Sequence, residues 1–160
     1  MAGTEAERSD FMIHITTRQF IGVALAGLAT GVVVWLCGWL FNSIVFGPLL
    51  CHDSASSQCA AAPAYSEVAA LVVATGVGVF GLVRLQVFRP LLVGLAAALS
   101  LWGVLAVLMG GSWLAGIGVL AILYALAYLL YAWIARIRSL IMAVIIVVIV
   151  LVLIRYLLTT

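Results

Sequence analysis

The sequence predicts an all-α polytopic membrane protein, with five transmembrane helices in an antiparallel bundle joined by short connections. Three observations predict it. First, charged residues stand at the edges of long apolar stretches. None occurs between Arg18 and Asp53, Glu67 and Arg84, Arg89 and Arg136, or Arg138 and Arg155. A bilayer's hydrocarbon core is about 30 Å thick and takes roughly 20 apolar residues of helix to cross. The Arg89–Arg136 gap is long enough for two spans, so four gaps make five. Second, the chain is 68% hydrophobic and only 8% charged, where a soluble domain carries about 25% charged residues. Too few polar residues remain to cover a surface in water. Third, the basic residues are lopsided. With the N-terminus inside, Arg8, Arg18, Arg84, Arg89, Arg136 and Arg138 are cytoplasmic and Arg155 alone is outside. Lys and Arg concentrate in cytoplasmic loops, so the expected topology is N-terminus inside and C-terminus outside.

Residues 1–18 are expected to form a cytoplasmic polar tail with a short interfacial segment. Glu5, Glu7, Arg8 and Asp10 do not suit the basic start of a signal peptide, so the apolar run from Phe20 reads as a retained first span. Residues 19–160 form one transmembrane helical domain. Span 1 runs from about Gln19 to Phe46 and stops near Gly47-Pro48, because proline lacks the donor a helix needs. Residues 51–64, rich in Ser, Ala and Pro, make an extracytoplasmic loop. Span 2 covers about Tyr65 to Gln86. Pro90 suits the first turn of span 3, which runs on to Met109. Gly110-Gly111-Ser112 is a strong turn signal. Span 4 then runs from Trp113 to about Ile134, and span 5 from Ser139 to about Leu157. The Ile145–Val150 run has strand-like composition, but a lone strand in lipid leaves its backbone unsatisfied, so the helix wins.

A hexapeptide nearly recurs, Val45-Phe-Gly-Pro-Leu-Leu50 and Val87-Phe-Arg-Pro-Leu-Leu92. The flanking residues do not align, so the match reads as two proline turns rather than a duplication.

Four features carry the candidate site residues. Cys51 and Cys59 flank a short loop on the outer side, where disulfides persist, and are expected to pair. The spacing matches no zinc pattern and lacks the redox Cys-x-x-Cys. Tyr124, Tyr128 and Tyr131 fall at i, i+4 and i+7, on one helix face. Their hydroxyls either bond Thr30, Thr75 or Ser100 on neighbouring helices or line a polar groove for a headgroup or small amphiphile. Gly27 and Gly31, and likewise Gly94 and Ala98, are small-xxx-small pairs that let helices approach closely. Arg155 ends the last span beside Tyr156. It is expected to snorkel to a lipid headgroup or to pair with a partner's carboxylate.

No Asp, Glu, Lys, Arg or His is expected deep in a span, where proton relays and ion-coupled carriers place such groups. The expected function is therefore a non-catalytic membrane subunit or scaffold. The alternative is a small transporter or flippase-like protein for a lipid-linked or apolar solute. Neither catalytic residues nor a metal or other cofactor is expected. The partners are the lipid bilayer and another membrane protein or a second copy of the chain. A net charge of +2 with no basic stripe argues against nucleic acid. Compactness and the lack of sorting signals suggest a bacterial inner membrane.

Overall fold

The computed structural model describes residues 17–51, 57–137 and 139–159. Every regular element among them is helical: α1 (Thr17–Leu40), a π-helical turn (Phe41–Phe46), α2 (Gly47–Leu50), α3 (Ser57–Arg84), α4 (Pro90–Ser100), α5 (Val104–Leu108), α6 (Trp113–Ile134) and α7 (Leu140–Thr159). Among the described residues, three stretches are long and apolar enough to cross a membrane: Thr17–Leu50, Ala61–Arg84 and Trp113–Ile134. Pro90–Ser100 and Ile141–Leu153 are shorter apolar helices.

α1, α3 and α6 make the centre, with α4 against α3 and α6, and α7 at the edge against α4 and α6. What joins α1 to α6 is the absence of side chains. A Cβ placed on Gly27 would lie 2.6 Å from the Ala125 Cα, and one on Gly31 would lie 2.6 Å from the Ala121 Cα. The two backbones therefore touch, which membrane helices use for packing where apolar burial offers no drive. Farther along, the Trp35 ring fills the space over Gly116. Gly94 seats α4 on α3, its Cβ position 2.8 Å from Val79 Cγ2, and Ala98 is buried on the same helix. Large apolar side chains point outward elsewhere, among them Val72, Leu126 and Val152. That surface suits lipid rather than water.

Three expected boundaries differ from the structure. Span 1 does not stop at Gly47-Pro48. Pro48 has no N–H to give, and the helix widens into a π turn in which the Gly47 N–H bonds the Asn42 carbonyl. The Ser43 hydroxyl meanwhile donates to Trp39 O at 2.8 Å. One extra residue per turn absorbs the proline, and the chain stays helical to Leu50. The loop expected over 51–64 is shorter, because α3 begins at Ser57 and carries Pro63 inside it. The alanines around Pro63 are the best helix formers, and they outweigh one lost backbone bond. Span 3 is not one helix. It unwinds over Leu101–Gly103, where Gly103 takes φ 92°, a left-handed conformation that glycine adopts without strain.

Candidate functional site

The break in the third apolar stretch sits beside a buried acid. Glu67 lies on α3 and is 2% exposed. Its Oε1 accepts the Gly103 N–H at 2.5 Å. The link is local chemistry used at long range. Unwinding at Gly103 frees donors that would otherwise bond within the helix, and a carboxylate is the strongest acceptor for one. Ser66, beside Glu67, is fully buried and donates its hydroxyl to Pro63 O at 2.7 Å. Ser100 closes α4 in the same way, donating to Ala97 O at 2.9 Å.

Glu67 is buried between helices, near the start of its apolar stretch rather than at its middle. By residue number it precedes Arg84 by a rise of about 25 Å along α3, less than the hydrocarbon thickness. The break at Gly103 lies about 20 Å from Pro90 by the same measure. Sequence position put Glu67 near a span end. What it did not show is that the side chain turns inward. The signal available was a Glu within reach of a glycine that interrupts another apolar run.

The tyrosine stripe is in the core. Tyr124, Tyr128 and Tyr131 are each at most 2% exposed, and they line neither of the two hollows described here. Two of the expected neighbours are in place. Thr30 stands beside the Tyr128 hydroxyl and Ser100 beside that of Tyr131, near enough to bond, whereas the Tyr124 hydroxyl has no hydrogen-bond partner among the described residues. Thr30 gives its own proton to Ala26 O at 2.8 Å. The Tyr128 hydroxyl presses on Gly78, filling the place of a Cβ there. Tyr124 packs near enough to Glu67 to interact with it electrostatically. A buried hydroxyl without a partner is costly, and here one faces the neighbourhood of a buried carboxylate.

A groove runs along the outside of α3 and α4, with a volume of about 260 Å3. Val68, Val72, Thr75, Leu95, Leu99 and Trp102 are among its walls, and all but Thr75 are exposed. Val68 and Trp102 are the sequence neighbours of Glu67 and Gly103. The groove thus ends at the break.

Cys51 and Cys59 stand at disulfide distance, Cα atoms 4.6 Å apart. Next to them Phe46 stacks on Tyr65, ring centroids 6.1 Å apart. Arg155 belongs to α7, and its side chain lies outside the described residues, as do the tail 1–16 and the loop 52–56.

Fold and site together define a helical protein with the apolar spans of an integral membrane protein, and with one interrupted helix capped by an acid from its neighbour. No protein-family model, curated protein or solved structure matches the chain.

Proposed function

We propose that the protein is a small membrane transporter of five spans, antiparallel and with its N-terminus in the cytoplasm, and that it carries a cationic amphiphile. The observation behind this reading is the contact between Glu67 and Gly103. A buried carboxylate is costly to desolvate, and a carrier site gives this one a use beyond capping the interrupted helix. Transporters break helices where irregular backbone can meet a solute within the membrane, and an intramembrane acid marks such a site. The groove beside the break takes the apolar body of the solute. Glu67, one residue from the groove wall at Val68, attracts its positive group. The solute enters from the bilayer, because the groove walls face outward.

Packing supports the topology. Residue 27 meets 125 while residue 31 meets 121, the inverse register of antiparallel helices. Gln19, Gln86 and Arg136 line one cleft, which gathers Arg18, Arg84, Arg89 and Arg136 at one end. That clustering is what the positive-inside rule counts.

Tetraphenylphosphonium is a suitable probe, with an apolar body and one positive charge. Calorimetric titration of the detergent-solubilised protein is expected to show binding that weakens at least tenfold in Glu67→Gln. No binding to the native protein, or equal binding by the variant, would refute the carrier reading. A stable heteromeric complex recovered in mild detergent would then favour a subunit of a larger assembly.

A further inference from the structure

At the end of the bundle opposite the Glu67 break, a second hollow opens among the start of α1, the turn after α3 and the end of α6. Its volume is about 130 Å3. Three polar side chains reach it, Gln19, Gln86 and Arg136, set among Phe20, Phe88 and Trp133. We propose that this cleft binds the phosphate group of an anionic phospholipid.

Arg136 is the reason. It is half-buried, and among the described residues none hydrogen-bonds or ion-pairs with its guanidinium. Partial burial already draws its pKa below the usual arginine value, but such a group stays charged. A guanidinium held in a cleft with no anion among the described residues to meet it is half of a charge-assisted pair. Its planar fork matches two phosphate oxygens. The amides of Gln19 and Gln86 add neutral donors on the other walls.

The cleft is also held in shape at a cost. Gln86 has φ 53° and Arg89 has φ 57°, left-handed values that side chains other than glycine adopt only with strain. Such strain gathers at ligand clamps. The turn is tied down from its far side. Arg89 donates from Nη1 to Ile137 O at 3.4 Å and lies 4.8 Å from the Phe88 ring centroid. Arg89 thereby links the turn carrying Gln86 to the residue that follows Arg136.

The phosphate has two possible sources, a lipid or the free ion. The surroundings favour the lipid. Phe20, Phe88 and Trp133 are each about half exposed or more and offer acyl chains and glycerol an apolar rim, as interfacial aromatics do. Cytoplasmic leaflets also carry the anionic lipids. This site is independent of Glu67 and stands whether or not the carrier reading holds.

Native mass spectrometry of the full chain in mild detergent tests it, titrating phosphatidylglycerol against phosphatidylcholine. The native protein is expected to retain phosphatidylglycerol at least fivefold better. Arg136→Gln is expected to abolish that preference. Arg84→Gln, whose guanidinium lies over Phe80 instead, is expected to keep it. Gln86→Gly relieves the strained φ, so it folds while lacking one donor, and is expected to lose about threefold. Equal loss in Arg84→Gln, or an unchanged preference in both Arg136→Gln and Gln86→Gly, overturns the proposal. Inorganic phosphate separates the sources. Failure to displace the lipid at millimolar concentration assigns the site to a headgroup. Displacement, with phosphate binding lost in Arg136→Gln, overturns the lipid assignment in favour of a free-anion site.

Discussion

Glu67 and Gly103 are 36 residues apart in sequence, yet one carboxylate oxygen of the first accepts the backbone N–H of the second at 2.5 Å. The acid stands in for the helical carbonyl that unwinding takes away. Replacing it separates acceptor from charge. Glu67→Gln keeps an oxygen for Gly103, and a modest loss of apparent melting temperature is expected. Glu67→Leu strands a buried N–H, at a cost of about 1–3 kcal/mol. Thermal unfolding in detergent measures both. A leucine variant as stable as the glutamine one would mean that the contact contributes nothing.

The seam between α1 and α6 makes a sharper prediction. At Gly27 and Gly31 even one methyl group meets backbone at 2.6 Å, and backbone does not yield as a side-chain end does. Gly27→Ala and Gly31→Ala are each expected to destabilise the fold by about 1–3 kcal/mol, the usual cost of overpacking. Gly76 and Gly118 have nothing within 4 Å of a Cβ. Alanine there is expected to be neutral or slightly stabilising, since it is the better helix former. The four variants form one set, and a uniform response across it would break the packing account.

Gly78 tests the tyrosine core. A Cβ there would occupy the place of the Tyr128 hydroxyl and lie 2.9 Å from Thr30 Oγ1. Gly78→Ala is expected to destabilise, and Tyr128→Phe to rescue it, because the phenylalanine ring lacks the clashing oxygen. Tyr128→Phe alone is expected to change stability little, since the hydroxyl it removes is buried and has Thr30 beside it. A double-mutant cycle on melting temperatures reads the coupling.

The Cys51–Cys59 pair closes a loop of sequence separation 8. A bridge of that size contributes about 2–3 kcal/mol by restricting the unfolded chain. Alkylation before reduction, followed by mass spectrometry, is expected to leave both thiols unmodified in protein from its native membrane. Cys51→Ser is expected to lower the melting temperature while Tyr124 and the other core residues keep their packing. Full modification of both cysteines in fresh membranes would remove the bridge.

The sequence was most legible where a single property decides. Between the Gly110-Gly111-Ser112 turn and the charge at Arg136, hydropathy alone delimits α6, whose limits Trp113–Ile134 match the expected span. Small residues announce the α1–α6 seam because only bare backbone packs that closely. Composition misled where two properties compete. Ala60, Ala61, Ala62 and Ala64 favour helix while Pro63 and the serines before them favour a loop, and the alanines prevail. The hexapeptide repeat shows the limit of short matches. Its two copies differ at the third position, and the backbone there is reversed from ordinary preference. Gly47 is right-handed at φ −58° and Arg89 left-handed at φ 57°. Tertiary contacts hold Arg89 in that state, and no local pattern records them. The same holds for Glu67. Hydropathy marks its helix as apolar, whereas the donor it serves lies on another element.

Topology is the final prediction. Reporters fused at Met1 and at Thr160 are expected to be active on opposite sides of the membrane, with Met1 in the cytoplasm. The weak point is α7. The uncharged run between Arg138 and Arg155 rises only about 24 Å at 1.5 Å per residue, short of the hydrocarbon thickness. A short span crosses by thinning the bilayer locally and by snorkelling of its flanking residues. Arg155 and Tyr156 stand where such anchors are needed. Shortening is also tolerable because α7 rests on α4 and α6 through Ala143 and Val147 rather than standing alone in lipid. Arg155→Leu then separates the two roles of the arginine. If it serves a headgroup, the variant inserts and keeps any co-purifying protein. If it pairs with a partner's carboxylate, the variant inserts but loses that protein. Cytoplasmic activity at both termini would instead place α7 along the membrane surface and reduce the bundle to four spans.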